Sequence, residues 1–144
     1  FTMEILIFHN PKCGTSRNVV RTTTDAGYKP EIIECLEAGW SKSHLKSLFA
    51  AAGILHKEAL RVSNTPAEKM GLTDPEVTQD QLLDAMVAHP ILVNRPIVVC
   101  KNGVRLCRPS GVVLNLLDHW PDAPYSKQDG SPIIDATRKV VPGA

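Results

Sequence analysis

Cys13 stands between Pro11-Lys12 and Gly14-Thr15-Ser16-Arg17, just after the apolar run Ile5-Leu6-Ile7-Phe8 and the pair His9-Asn10. These neighbours are loop and cap residues, which separates Cys13 from a cysteine packed as a small core hydrophobe. A strand ends before it. After it, Val19, Val20, Thr23 and Ala26 recur at helical spacing and Gly27 closes the segment, so Cys13 falls at the mouth of a helix. The unpaired N–H groups and positive dipole end of a first turn favour thiolate over thiol, and the same groups seat an oxyanion. Gly14, Thr15 and Ser16 are the expected seat, with His9 and Arg17 adding positive charge. A resolving cysteine three residues on would complete a dithiol. Ser16 holds that place, so an oxidised Cys13 needs a thiol from another molecule.

Three arginines lie at element boundaries: Arg61, Arg95 before Pro96, and Arg108 before Pro109. A guanidinium matches a tetrahedral oxyanion through forked, charge-assisted hydrogen bonds and does not lose its charge. A nucleophilic thiol and convergent arginines point to a phosphate-like substrate.

The elements that must position these residues follow from the pattern. Glu31-Ile32-Ile33-Glu34-Cys35-Leu36 reads as a second strand, parallel to the first across the helix. Ser41 caps an amphipathic helix carrying Leu45, Leu48, Phe49 and Ala52 up to Gly53, and Ile54–Leu60 adds a turn that delivers Arg61. Thr65-Pro66-Ala67-Glu68 opens a short helical segment closed by Gly71. Thr78-Gln79-Asp80-Gln81 is a capping box for a helix that buries Leu82, Leu83, Met86 and Val87 and stops at His89-Pro90. Residues 41–89 are thus expected as a helical insertion. Ile97–Cys100 and Val104–Arg108 flank Asn102-Gly103, a hairpin signal, and a last helix follows Pro109-Ser110. The fold class is α/β, a four-stranded mixed sheet flanked by helices. The domain spans residues 3–120, and 121–144, rich in proline and aspartate with only Ile133-Ile134 apolar, are expected as a loosely packed tail.

With 144 residues, 43% of them hydrophobic, one core suffices and no second domain is needed. A net charge of +1 gives no global case for nucleic acid or an acidic membrane surface. No apolar run reaches membrane-span length and no secretory signal is visible, so a cytoplasmic location is expected. Cys13, Cys35, Cys100 and Cys107 lack metal-ligand spacing and are expected as reduced thiols, the last three packed in the fold.

His9–Asn18, Ala59-Leu60-Arg61, His89–Val99 and Arg105–Ser110 together resemble the glutaredoxin-linked arsenate reductases, in register from about residue 4 to 118. The resemblance implies a thioredoxin-like fold with a helical insertion and a cis peptide before Pro96 that sets Arg95 beside the cysteine loop. It implies Cys13 as the thiolate that attacks arsenic, His9 as the residue that helps keep it ionised, and Arg61, Arg95 and Arg108 as the cradle. Glutathione is the implied co-substrate and glutaredoxin the implied partner, with no metal and no bound cofactor.

Two other readings fit the same fold. One is a glutathione-dependent thiol reductase, since a glutathione carboxylate also suits an arginine cluster. The other is a regulator of the Spx type that binds RNA polymerase; those commonly carry a Cys-x-x-Cys switch, against which Ser16 argues.

Overall fold

The computed structural model describes residues 2–144. They form two compact units: the chain up to Glu34 together with Arg95–Ala144, and Cys35–Asn94.

In the first unit β1 (Ile5–His9), α1 (Gly14–Asp25) and β2 (Glu31–Glu34) are followed, after the second unit, by β3 (Ile97–Cys100) and β4 (Gly103–Leu106). The sheet order is β2-β1-β3-β4, with β1 parallel to β2 and both β1–β3 and β3–β4 antiparallel. This is the mixed four-stranded sheet expected, in a thioredoxin-like order. Ile5 and Ile7 of β1 and Val98 of β3 pack with Val19 of α1 and with Val113, Leu114 and Leu116 of a 3-10 helix, Ser110–Leu116. Each such burial stabilises by about 1.5–3 kcal/mol. Thr22 and Thr23 of α1 are fully buried, and their hydroxyls avoid an unpaired state by donating to the carbonyls of Asn18 and Val19. The Arg95–Pro96 peptide is cis.

Two local expectations shift. Cys100 pairs with Gly103, so the hairpin turn is Lys101-Asn102; Gly103 takes the positive φ of 136°, and Asn102 Nδ2 donates to the Leu116 carbonyl at 2.8 Å. The last helix is 3-10, as Gly111 and β-branched Val112 and Val113 weaken an α turn, and the Gly111 N–H, free at a helix start, donates to the Ala144 carbonyl at 2.7 Å.

The tail departs most from expectation. It forms β5 (Tyr125–Ser126) and β6 (Pro132–Ile134), an antiparallel pair, and Ile133, Ile134 and Ala144 are buried in the core with Ile7 and Val19. Residues 121–144 are therefore part of the packed unit: two adjacent isoleucines carry enough apolar area to offset the ordering of a polar hairpin.

The second unit holds α2 (Cys35–Ala38), α3 (Lys42–Ala52), α4 (His56–Ala59), α5 (Gln79–Ala88) and a 3-10 turn, Pro90–Leu92. It is wider than 41–89 at both ends because α2 packs on that turn. Ser41 accepts from the His44 N–H, Gly53 closes α3 in the left-handed region, and Thr78 and Gln81 complete a reciprocal capping box. Residues 65–71 close into single turns, with the Met70 N–H on the Pro66 carbonyl at 2.9 Å, in place of the short helical segment expected there.

Candidate active site around Cys13

β1 delivers the chain to a tight loop. Asn10 organises it twice: its carbonyl accepts from the Cys13 N–H and its Oδ1 from the Lys12 N–H, both at 3.0 Å. Cys13 then takes the N-cap position of α1 with extended backbone, and its carbonyl accepts from the Arg17 N–H. The sulfur thus replaces the capping oxygen of an ordinary helix start. It makes no conventional capping bond; the Ser16 N–H acts on it through its dipole.

Cys13 is 8% exposed, and burial by itself raises a thiol pKa. That effect is outweighed. The Ser16 N–H, the hydrogen bond and charge of Arg108, and the charge of Arg95 all favour the anion, and the net shift is downward. Arg108 Nη1 lies 3.5 Å from Sγ and donates to the Arg95 carbonyl at 2.9 Å. Arg95 is itself buried, 7% exposed. A desolvated sulfur with two guanidinium groups bearing on it is favoured toward its nucleophilic thiolate form, beside cations suited to an incoming oxyanion.

His9 has a different role from the one expected. It is 9% exposed; burial, with Arg17 in support and Glu34 opposing, lowers its pKa and so favours the neutral ring. Its Nδ1 shares a 2.9 Å hydrogen bond with Ser16 Oγ, which also accepts from the Asn10 N–H at 3.1 Å. Ser16 is fully buried and its hydroxyl is turned inward to these partners, so only its backbone N–H faces the sulfur. Gly14 and Thr15 are the half-buried first residues of α1.

Cys13, His9, Ser16, Arg95 and Arg108 are brought together in the first unit. Arg61 lies in the second, where its N–H donates to the Leu92 carbonyl at 2.7 Å and its Nε to the Ser63 carbonyl at 3.3 Å. Two residues of the cysteine motif carry unforeseen structural roles. Arg17 Nη1 donates to the Pro11 carbonyl at 2.9 Å, and Asn18 Nδ2 to the Gly14 carbonyl at 3.0 Å. The four-residue spacing of Asn18 from Gly14 is the signal that could have found the second.

The other cysteines are free and differ sharply from Cys13. Cys107 is fully buried, and burial pushes its thiol up to about 12. Cys35 is buried, and the half-buried Cys100 directs its thiol to the Leu116 carbonyl. Among the described residues, no group of three or more His, Cys, Asp or Glu is placed to hold a metal ion.

The ArsC family profile matches residues 8–116. The chain is 56% identical to an arsenate reductase, ArsI2, of Synechocystis sp. over 131 residues, covering 91% of this chain and 94% of that one. It is 46% identical to an arsenate reductase of Rhizobium meliloti over 137 residues, covering 95% and 98%. Among solved structures, an arsenate reductase from Vibrio cholerae superposes with a TM-score of 0.77 at 35% identity, covering 81% of this chain and the whole of that one. A cysteine at a helix mouth, faced by an arginine from far along the chain, thus sits inside a match that runs through nearly every element of the sheet, and the chain belongs to the ArsC family.

Proposed function

We propose that this protein is an oxidoreductase that reduces arsenate to arsenite, with Cys13 as nucleophile and glutathione and glutaredoxin as the source of electrons. The observation that carries the reading is the 3.5 Å approach of Arg108 Nη1 to a buried Cys13 Sγ whose pKa is depressed. Its curated relatives, named arsenate reductases, support the substrate.

Cys13 thiolate attacks pentavalent arsenic and an arsenic oxygen leaves as water, giving a sulfur–arsenic bond. Arg95 and Arg108 hold the remaining oxygens, and the N–H groups of Gly14, Thr15 and Ser16 seat the anion at the helix mouth. A glutathione thiolate then attacks the adduct at the Cys13 sulfur. The sulfur–arsenic bond breaks with its electron pair left on arsenic, which becomes trivalent, and Cys13 and glutathione are joined as a mixed disulfide. A glutaredoxin thiolate attacks the glutathione sulfur, returns Cys13 as thiolate and carries glutathione away. Ser16 at the place of a resolving cysteine agrees with this need for outside thiols. Glutathione is a co-substrate, and the scheme calls for no bound cofactor or metal. We place the enzyme in the cytoplasm, where these thiols are kept reduced; no helix among the described residues is long and apolar enough to cross a membrane.

The test is arsenate-dependent oxidation of NADPH with glutathione, glutaredoxin and glutathione reductase supplied, in the intact chain and in Cys13→Ser. Turnover that needs arsenate, glutaredoxin and Cys13 is expected. Turnover on glutathionylated substrates without any arsenate dependence would replace this reading with a thiol reductase.

A further inference from the structure

The turn between β5 and β6 reaches both sides of Cys13 through one residue. The Gln128 N–H donates to Asn18 Oδ1 at 3.0 Å, and Asn18 Nδ2 donates in turn to the carbonyl of Gly14, the residue after Cys13. Gln128 Oε1 accepts from Arg17 Nε at 3.5 Å, and Arg17 Nη1 donates to the carbonyl of Pro11, two residues before Cys13. We propose that the hairpin turn at Gln128 positions the cysteine loop, and that Asn18 is the positioning residue through which it acts.

Three observations carry this. The start of α1 is weakly specified: its first residue is glycine, no side-chain oxygen caps it, and no acidic residue lies in its first turn. An amide at position 18 ties this turn to the hairpin, because it donates to the Gly14 carbonyl and accepts from the Gln128 N–H at once, which neither a carboxylate nor an aliphatic side chain does. The turn is also built to present that donor. The Lys127 N–H goes to the Ser131 carbonyl and the Gly130 N–H to the Lys127 carbonyl, whereas the Gln128 N–H is directed out of the turn to Asn18. Finally, the hairpin lies beyond residue 116, where the family profile stops, and its turn is fastened on both sides of the reacting residue.

The inference rests on Cys13 as the reacting thiol, and its consequence is local. The N–H of Ser16 acts on the sulfur from the same turn that Asn18 holds, so loosening the turn weakens the preference for thiolate. The hairpin has a second fastening near the end of α1, where Arg21 Nη1 donates to the Ser126 carbonyl at 2.7 Å and its guanidinium lies 5.0 Å over the Tyr125 ring. That fastening provides the control.

The experiment follows iodoacetamide alkylation of Cys13 against pH, with Tm, in Asn18→Ala, Gln128→Pro and Arg21→Ala of the full chain. Gln128→Pro removes both links from the turn, the N–H that Asn18 accepts from and the Oε1 that Arg17 Nε reaches, and it serves where Asn18→Ala fails to fold. The expected result is a higher alkylation midpoint and a rate at neutral pH about threefold lower in the first two variants. Arg21→Ala should lower Tm and leave the midpoint in place. An unmoved midpoint in Asn18→Ala and Gln128→Pro, or an equal shift in Arg21→Ala, overturns the proposal. Because no arsenate is used, the result stands apart from the success or failure of the arsenate assay.

Discussion

Arg108 Nη1 stands 3.5 Å from Cys13 Sγ while donating to the Arg95 carbonyl at 2.9 Å. The backbone of one arginine thereby aims the side chain of the other at the sulfur. Arg95 contributes in two separable ways, through a carbonyl that any residue would supply and through a guanidinium that only arginine has.

Removal of Arg108 is the direct test of this arrangement. Burial alone would raise the Cys13 pKa, and Arg108 contributes both a hydrogen bond and a charge among the groups that reverse it. Arg108→Leu should therefore move the alkylation midpoint of Cys13 upward and slow the reaction at neutral pH several-fold, on the order of threefold or more. An alkylation profile identical to that of the unaltered chain would show that the Ser16 N–H and Arg95 suffice.

His9 makes a prediction of the opposite kind, because its part is a hydrogen bond and not a charge. His9→Gln keeps a partner for Ser16 Oγ and should leave the Cys13 alkylation profile close to that of the unaltered chain, whereas His9→Leu should shift it upward. If an imidazolium were holding the thiolate, glutamine would fail as completely as leucine. The acid stability of the fold gives a second readout. The folded pKa of His9 is lowered, so the unfolded chain takes up this proton first and stability is lost as pH falls from about 6.5 through the folded value. Thermal denaturation of His9→Gln should show a smaller loss of Tm over that acid range.

What could be read from the sequence was local. Glycine, proline and hydroxyl residues punctuate the chain around Cys13, Ser41 and Thr78, and those helix starts stand where their spacing puts them. The Arg108–Cys13 contact joins residues 95 apart; the three boundary arginines suggest convergence near Cys13, but no periodicity encodes which of them reaches the sulfur. The charge of His9 was out of reach of the sequence because burial lowers its pKa and burial is a property of the fold. The tail was misjudged for the same reason: Ile133 and Ile134 look isolated in sequence, and their partners Ile7, Val19 and Val113 come from β1, α1 and the 3-10 helix. Ser16 was expected in the anion seat, and its hydroxyl is committed to His9 and Asn10, partners that no local spacing announces.

Arg95→Lys separates charge from shape. The lysine keeps the carbonyl that orients Arg108 and keeps a positive charge, and it loses the planar fork. With arsenate held through paired donors, kcat/KM for arsenate should fall on the order of tenfold, about 1.4 kcal/mol of transition-state stabilisation. Cys13 alkylation should change little by comparison. Unaltered arsenate kinetics would mean that Arg95 acts on the site by charge alone.

The last prediction concerns the hairpin as part of the core. Ile133 is fully buried in the cluster that holds Ile7, Val19 and Val113. Ile133→Ala should cost about 2–5 kcal/mol in urea denaturation, the range for truncating an enclosed aliphatic side chain. A loosely held tail would instead give a change within about 0.5 kcal/mol, as at an ordinary surface position. The same variant bears on the site, because Ile133 seats the strand that follows the Gln128 turn. Its Cys13 alkylation midpoint should rise together with the loss of stability, whereas a core substitution elsewhere in the unit, such as Leu117→Ala, should lower stability and leave the midpoint where it was.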